Sequence, residues 1–131
     1  LPGDRTQVRG GILPINGQAV RRDGLGPFTV EGDGPRMTVR RFLETLPALN
    51  GQPGVSHQIL EATDDGPFDN TPEFRVPDGH VFAMGDNRDN SLDSRAMNAV
   101  GFIPVENLVG RAEVWGWPFA IRWSRIFSAV R

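Results

Sequence analysis

The chain has 131 residues, a net charge of −2 and no cysteine. That length supports one domain, or one domain with an insertion; the charge argues against general nucleic-acid binding, and the missing thiols exclude disulfides and thiolate chemistry. All fourteen basic residues are arginine, so the chain holds no lysine amine, and sixteen Gly with eleven Pro favour short strands joined by turns.

The opening "LPGDRTQV" reads as the interior of a domain, with no signal-peptide pattern. No apolar run reaches the roughly 18–20 residues that a membrane helix needs. "GGILPINGQAV" places Asn16-Gly17 between two apolar stretches, which predicts a tight hairpin. Residues 21–74 change character, with turn signals in "RRDGLGP", "EGDGP", "ALNGQPG" and "DDGPFDNTP". Within them "TVRRFLETLPAL" fits a short helix through Val39, Phe42, Leu43 and Leu46. It also fits a strand paired with "VSHQILEA" across Asn50-Gly51, and the density of Pro and Gly favours this hairpin. The expected organisation is a β core from residues 1–20 and 75–131, with 21–74 as an inserted β subdomain.

Further on, "HVFAM" predicts a strand buried on both faces. Within "AVGFIPVENLVGRAEV", Leu108, Ala112 and Val114 fall on one side of an extended chain and Arg111 and Glu113 on the other. The end, "WGWPFAIRWSRIFSAVR", sets Trp115, Trp117, Phe119, Ile121 and Trp123 at every second position, a strand with one large apolar face. Its last part also fits a helix. Arg122, Arg125 and Arg131 accompany these rings with no acid, a composition suited both to a core and to an anionic lipid surface.

The most polar stretch is "MGDNRDNSLDSR", Met84 to Arg95. A solvated loop is the plain reading of such a run. A calcium loop fails in both frames: starting at Asp86 puts Arg88 at a ligand position, and starting at Asn87 puts Leu92 where the turn needs Gly. No metal ligand set emerges, and one glycine, Gly85, is too few for a phosphate cradle. Asp93 and Arg95 are two apart, so on an extended chain they share a face with Ser91 and pair, while Asp86, Arg88 and Asn90 face away. So many matched donors and acceptors make a loop rigid, as a catalytic wall must be.

These residues resemble the signature box of bacterial type I signal peptidase, the serine–lysine protease that removes secretory signal peptides. "LPGDRTQVRGGILPINGQAV" is similar to the family's segment after its general-base lysine, "FRVPDGHVFAMGDNRDNS" to the strand entering the box, "VGFIPVENLVGRAEV" to the strand leaving it, and "WPFAIRWSRI" to its C-terminal segment. The resemblance covers most of residues 1–20 and 72–126 and matches the middle weakly.

It implies a coiled antiparallel β-sheet core and acyl transfer to water without a cofactor. A serine attacks the carbonyl after a small residue of an Ala-x-Ala signal peptide, and a neutral lysine takes its proton. By this likeness Ser91 orients the lysine amine, and Asp93 and Arg95 form the ion pair behind the site. Gly85 and Asp86 form the turn that lets the backbone approach, and Ala83 and Met84 stand beside the pocket for the small residue. Trp115, Trp117, Phe119 and Trp123 divide between the core and the surface of the cytoplasmic membrane, the catalytic domain lying on its outer face. The family's "SMxPT" serine and its lysine are not among these residues. Arg stays protonated and cannot replace the lysine, and His80, after the turn signal Asp78-Gly79, is a poor partner for Ser91. The expectation is therefore a part of a signal peptidase whose nucleophile and base lie upstream, inactive by itself and prone to self-association. The alternative is a non-catalytic binding or scaffold relative, and what the gene encodes before Leu1 separates the two.

Overall fold

The computed structural model describes residues 1–30, 35–48, 51 and 53–109. The chain is mainly β, as expected, with antiparallel strands β1 (Arg5–Thr6), β2 (Pro14–Ile15), β3 (Gln18–Ala19), β4 (Arg21–Val30), β5 (Met37–Thr45), β6 (Ser56–Glu61), β7 (Phe74–Arg75), β8 (His80–Val81) and β9 (Ile103–Pro104). They form a four-stranded sheet in the order β3-β2-β1-β7, a three-stranded sheet β4-β5-β6 and the pair β8-β9. The helical elements among the described residues are two 3-10 turns, Arg88–Asn90 and Val105–Asn107.

The β2–β3 hairpin turns at the expected dipeptide. Asn16 at φ 53° and Gly17 at φ 81° both occupy the left-handed region that a two-residue turn of this hand requires. Asn16 also ties the turn down: its Oδ1 accepts the Arg5 N–H at 2.9 Å and its amide donates to Asp4 at 2.9 Å. Behind the hairpin, Val8, Leu13, Val20 and Leu46 form the buried apolar cluster, with Ile15 and Met84 packed against it. Leu46, just past β5, is the residue by which the three-stranded sheet enters this core.

"TVRRFLETLPAL" is strand through Thr45, and this strand pairs with the second apolar piece in the expected way, from Arg40↔Glu61 to Thr45↔Ser56. Alternation then sorts its side chains. Arg40, Phe42 and Glu44 of β5 share a face with their partners Glu61, Ile59 and His57 of β6, and with Arg22 of β4, opposite Glu44. Arg22 lies over the Phe42 ring at 4.3 Å. Glu44, Glu61, His57 and Arg22 are largely buried on this face and each meets an oppositely charged or hydrogen-bonding partner, while the Arg40 side chain stays partly exposed.

One such group closes the gap between the two larger sheets. Arg22 contacts Glu61 and donates to the Gly11 carbonyl at 3.3 Å and to Asp64 at 3.2 Å, while Arg40 donates to Asp64 at 2.7 Å. Gly11, at φ 75°, leaves room for this knot, since a Cβ there would stand about 3 Å from Asp64, Arg22 and Glu61. Burial pushes the Glu61 carboxyl up to about 7, and the charge of Arg22 recovers only part of that cost. A folded-state value above the usual 4.5 means that the native protein binds the extra proton. Stability from Glu61 is therefore complete below about pH 4.5 and declines as pH rises through 7, by on the order of 3 kcal/mol. Urea midpoints at pH 5 and pH 7.5 should fall more steeply for wild type than for Glu61→Gln. Equal slopes would mean that Arg22 keeps the carboxylate ionised throughout.

"HVFAM" is shorter as a strand than its apolar run suggested. Only His80–Val81 pairs, with Ile103–Pro104. From Phe82 the chain leaves the sheet. Its ring stacks on Phe74 at 5.5 Å and tilts against Phe102 at 6.2 Å, and Ala83 turns its backbone to the polar stretch that follows. Leu108 follows a 3-10 turn rather than lying in a strand. Ala112, Val114 and the aromatic residues Trp115, Trp117, Phe119 and Trp123 lie outside the described residues.

Candidate active site

Residues 84–95 fold back on themselves. Ala83 donates to Ser94 Oγ at 3.0 Å and accepts from the Ser94 N–H at 3.1 Å, so the segment begins and ends on a two-bond clasp. Inside it, Asp93 and Arg95 form the expected pair: Arg95 Nε donates to Oδ1 at 2.9 Å and Nη2 to Oδ2 at 2.8 Å. Both side chains are buried, and this two-pronged geometry is the strong form of an ion pair. Asp93 Oδ2 also accepts the Gly85 N–H at 2.9 Å. Burial alone would raise the Asp93 carboxyl. The hydrogen bonds from Arg95 and Gly85 outweigh it and hold the group below the usual carboxylate range.

Ser91 joins this pair through Gly85. A Cβ on Gly85 would sit 2.1 Å from Ser91 Oγ and 2.6 Å from its Cβ, so only a glycine lets the two strands of the fold-back touch. The extended geometry expected for the stretch holds neither at its centre nor at its end, where the Ala96 N–H closes a turn on the Asp93 carbonyl at 2.9 Å. Residues 88–90 curl into a 3-10 turn, which sends Arg88 inward instead of away from the pair. His80 takes no part. Its Nδ1 lies 2.9 Å from the Asp78 carbonyl, in the turn before β8.

The segment is also fastened to the β5–β6 hairpin. Leu60 of β6 donates to the Asp86 carbonyl at 2.8 Å and bridges to Asn87 in parallel. Asp89 accepts the Ala62 and Thr63 N–H groups at 2.6 and 3.0 Å. Arg88 reaches Glu44 of β5 with both terminal nitrogens, Nη1 at 3.2 Å from Oε2, and its Nε donates to the Gly85 carbonyl at 3.2 Å. On the other side of Glu44 stands His57, with Nε2 at 3.1 Å. Burial alone would raise the Glu44 carboxyl. The His57 hydrogen bond and the Arg88 charge hold it at about 2 instead. Sequence reasoning missed Glu44 and His57, whose one sequence signal was the hairpin register that sets them opposite each other.

A cleft of about 90 Å³ lies in front of these groups. One wall is Thr6, Leu13 and Ile15, with Asp4 and Leu1 at its end; the other is Phe82, Ala83, Met84 and Asp86. Glu44, Leu46, His57 and Arg88 close it, over Val76. The expected pocket residues Ala83, Met84 and Asp86 thus face one cleft. Gly85 lies between Met84 and Asp86 in the chain but does not itself line the cleft, and Ser91, Asp93 and Arg95 also stand outside it and brace the chain that lines it. Among the described residues no group of three or more His, Asp or Glu side chains could hold a metal ion. Nor is any helix there long and apolar enough to cross a membrane.

A mainly β chain with a braced polar segment against a mostly apolar cleft is consistent with the signal-peptidase-like β fold. The family model described as "Signal peptidase, peptidase S26" matches residues 1–117, and the chain belongs to this peptidase family. The signal peptidases I of Rickettsia akari and Rickettsia typhi are each 36% identical to it over 126 residues, as is that of Rickettsia prowazekii. The match covers 94% of this chain and 45% of each relative, so the chain spans less than half the length of the curated relatives it matches.

Proposed function

We propose that these residues form the rear part of the catalytic domain of a membrane-associated signal peptidase I. In this reading the protein cleaves exported preproteins after an Ala-x-Ala motif, using a serine nucleophile and a neutral lysine base supplied by residues beyond these 131. The reading rests chiefly on the Asp93–Arg95 pair and its bond to Gly85, which together hold the fold-back that packs Ser91 on Gly85, next to the mostly apolar cleft lined by Ala83, Met84 and Asp86. A small, mostly apolar cleft suits small substrate side chains, and a hydroxyl packed on the chain between its lining residues suits the orientation of a buried amine.

By resemblance, Ser91 hydrogen-bonds the lysine amine, and Ala83 and Met84 border the pocket for the small residue. No lysine occurs in the chain, so the 131 residues alone are inactive by this mechanism. Trp115, Trp117, Phe119 and Trp123, with three arginines and no acid in their segment, would meet the outer surface of the cytoplasmic membrane. Alone, the 131 residues would self-associate through edges that the rest of the protein covers.

The test uses the full-length protein and a peptide bearing Ala-x-Ala. Wild type should cleave it, and the 131 residues alone should not. Ser91→Ala should lower kcat by roughly 10- to 100-fold, part of what a well-placed base supplies, with the melting temperature nearly unchanged. No cleavage by the full-length protein, or full activity in Ser91→Ala, would overturn the assignment.

A further inference from the structure

The signature segment is held from behind by the Asp93–Arg95 pair, and a second charged strut meets it from the β5–β6 hairpin. Glu44 is 1% exposed and Arg88 is 4% exposed, and each satisfies the other. Such a pair is costly to bury and stays only where its geometry is tightly set. His57 contacts the same Glu44 oxygen that Arg88 takes, so the carboxylate is fixed from two sides. The strut ends on Gly85, between the cleft residues Met84 and Asp86. Arg88 Nε donates to the Gly85 carbonyl at 3.2 Å, and the Arg88 carbonyl accepts Arg95 Nη2 at 2.6 Å. Gly85 therefore has its carbonyl set by Arg88 and its N–H set by Asp93, while Ser91 Oγ rests on its Cα.

We propose that Glu44, held by His57, is a positioning residue for the peptidase reaction: through Arg88 it fixes the Gly85 peptide, and with it the Ser91 hydroxyl. This rests on the signal-peptidase reading above and assigns to the β5–β6 hairpin a role in the active site. The strut touches neither substrate nor reacting atoms. Its effect is on the distance at which Ser91 meets the amine it orients, where a shift of about 1 Å is expected to cost up to about 100-fold.

The experiment measures kcat and KM on the full-length enzyme for Glu44→Gln and for Arg88→Lys, each alone and combined with Ser91→Ala. Gln keeps the shape of Glu44 without its charge. Lys keeps the charge of Arg88 but has no Nε–H for Gly85 and no two-pronged fork for Glu44. Each single variant should lose about 10-fold in kcat, with KM within about twofold. Combined with Ser91→Ala, neither should lower kcat further, because both act through the same hydroxyl. A purely structural strut predicts a fall in melting temperature with kcat per folded molecule unchanged, and that result would overturn the proposal. Losses that multiply with Ser91→Ala would overturn it too. If wild type cleaves and Ser91→Ala slows it while both strut variants behave as wild type, this inference fails alone; if wild type does not cleave, the reading beneath it fails as well.

Discussion

Glu44→Ala lowers the stability of the folded protein by about 3–5 kcal/mol, read as a fall in the urea midpoint. The residue it strands is Arg88, 4% exposed, whose guanidinium keeps only its bond to the Gly85 carbonyl. His57 loses its contact in the same step. A typical domain has a net stability of roughly 5–15 kcal/mol, so the loss takes a large share of it. The pH dependence identifies the cause. The Glu44 carboxyl titrates at about 2 in the folded protein against an ordinary 4.5, so the charged form is favoured by folding. That contribution, on the order of 3 kcal/mol, is present above about pH 4.5 and is lost as pH falls through 2. The gap between wild type and Glu44→Ala should thus be widest near neutrality and shrink towards pH 2. A gap that holds constant with pH would point to lost packing and not to the ion pair.

Asp93→Ala is expected to cost a similar amount, about 3–5 kcal/mol, and to abolish most turnover of the full-length enzyme. Three donors lose their acceptor at once: the Arg95 side chain, the Arg95 N–H and the Gly85 N–H. Arg95 retains the Arg88 carbonyl and its place over the Phe68 ring at 5.4 Å, neither of which balances a buried charge. Asp93→Asn keeps the shape and should be milder, about 1–3 kcal/mol. Because Arg95 bonds to Arg88 and Arg88 to Gly85, the Asp93 and Glu44 substitutions share partners. Their combined cost should fall short of the sum, and strict additivity in urea unfolding would show that the two braces are independent.

The parts of this fold that could be read from the sequence are those set by neighbours. Asn16-Gly17 encodes its own turn, and Asp93 and Arg95 are near enough in sequence to pair without a distant partner, although they do so within a turn and not on the extended chain expected. The β5–β6 hairpin followed from the density of Pro and Gly around it, which leaves little room for a helix. What escaped was set at long range. An extended chain would point Arg88 away from the pair, but the 3-10 turn at 88–90 redirects it to Glu44, forty-four positions earlier. Glu44 and His57 carried no mark of burial, since charged residues in a strand ordinarily lie on its wet face. Only the docking of β6 against Asp86 and Asn87 makes that face an interior. "HVFAM" erred in the opposite direction: its apolar run was real, but Ala83 takes its hydrogen bonds from Ser94 and not from a neighbouring strand.

β4 is an edge of its sheet, and nothing among the described residues pairs with its far side. Ten residues of open strand would ordinarily template further copies and seed fibrils. Here the ladder slips between Gly24 and Gly26, and Pro27 follows with no N–H to offer. An incoming chain would therefore find its register broken midway along, so any assembly of the isolated protein has to grow from some other border.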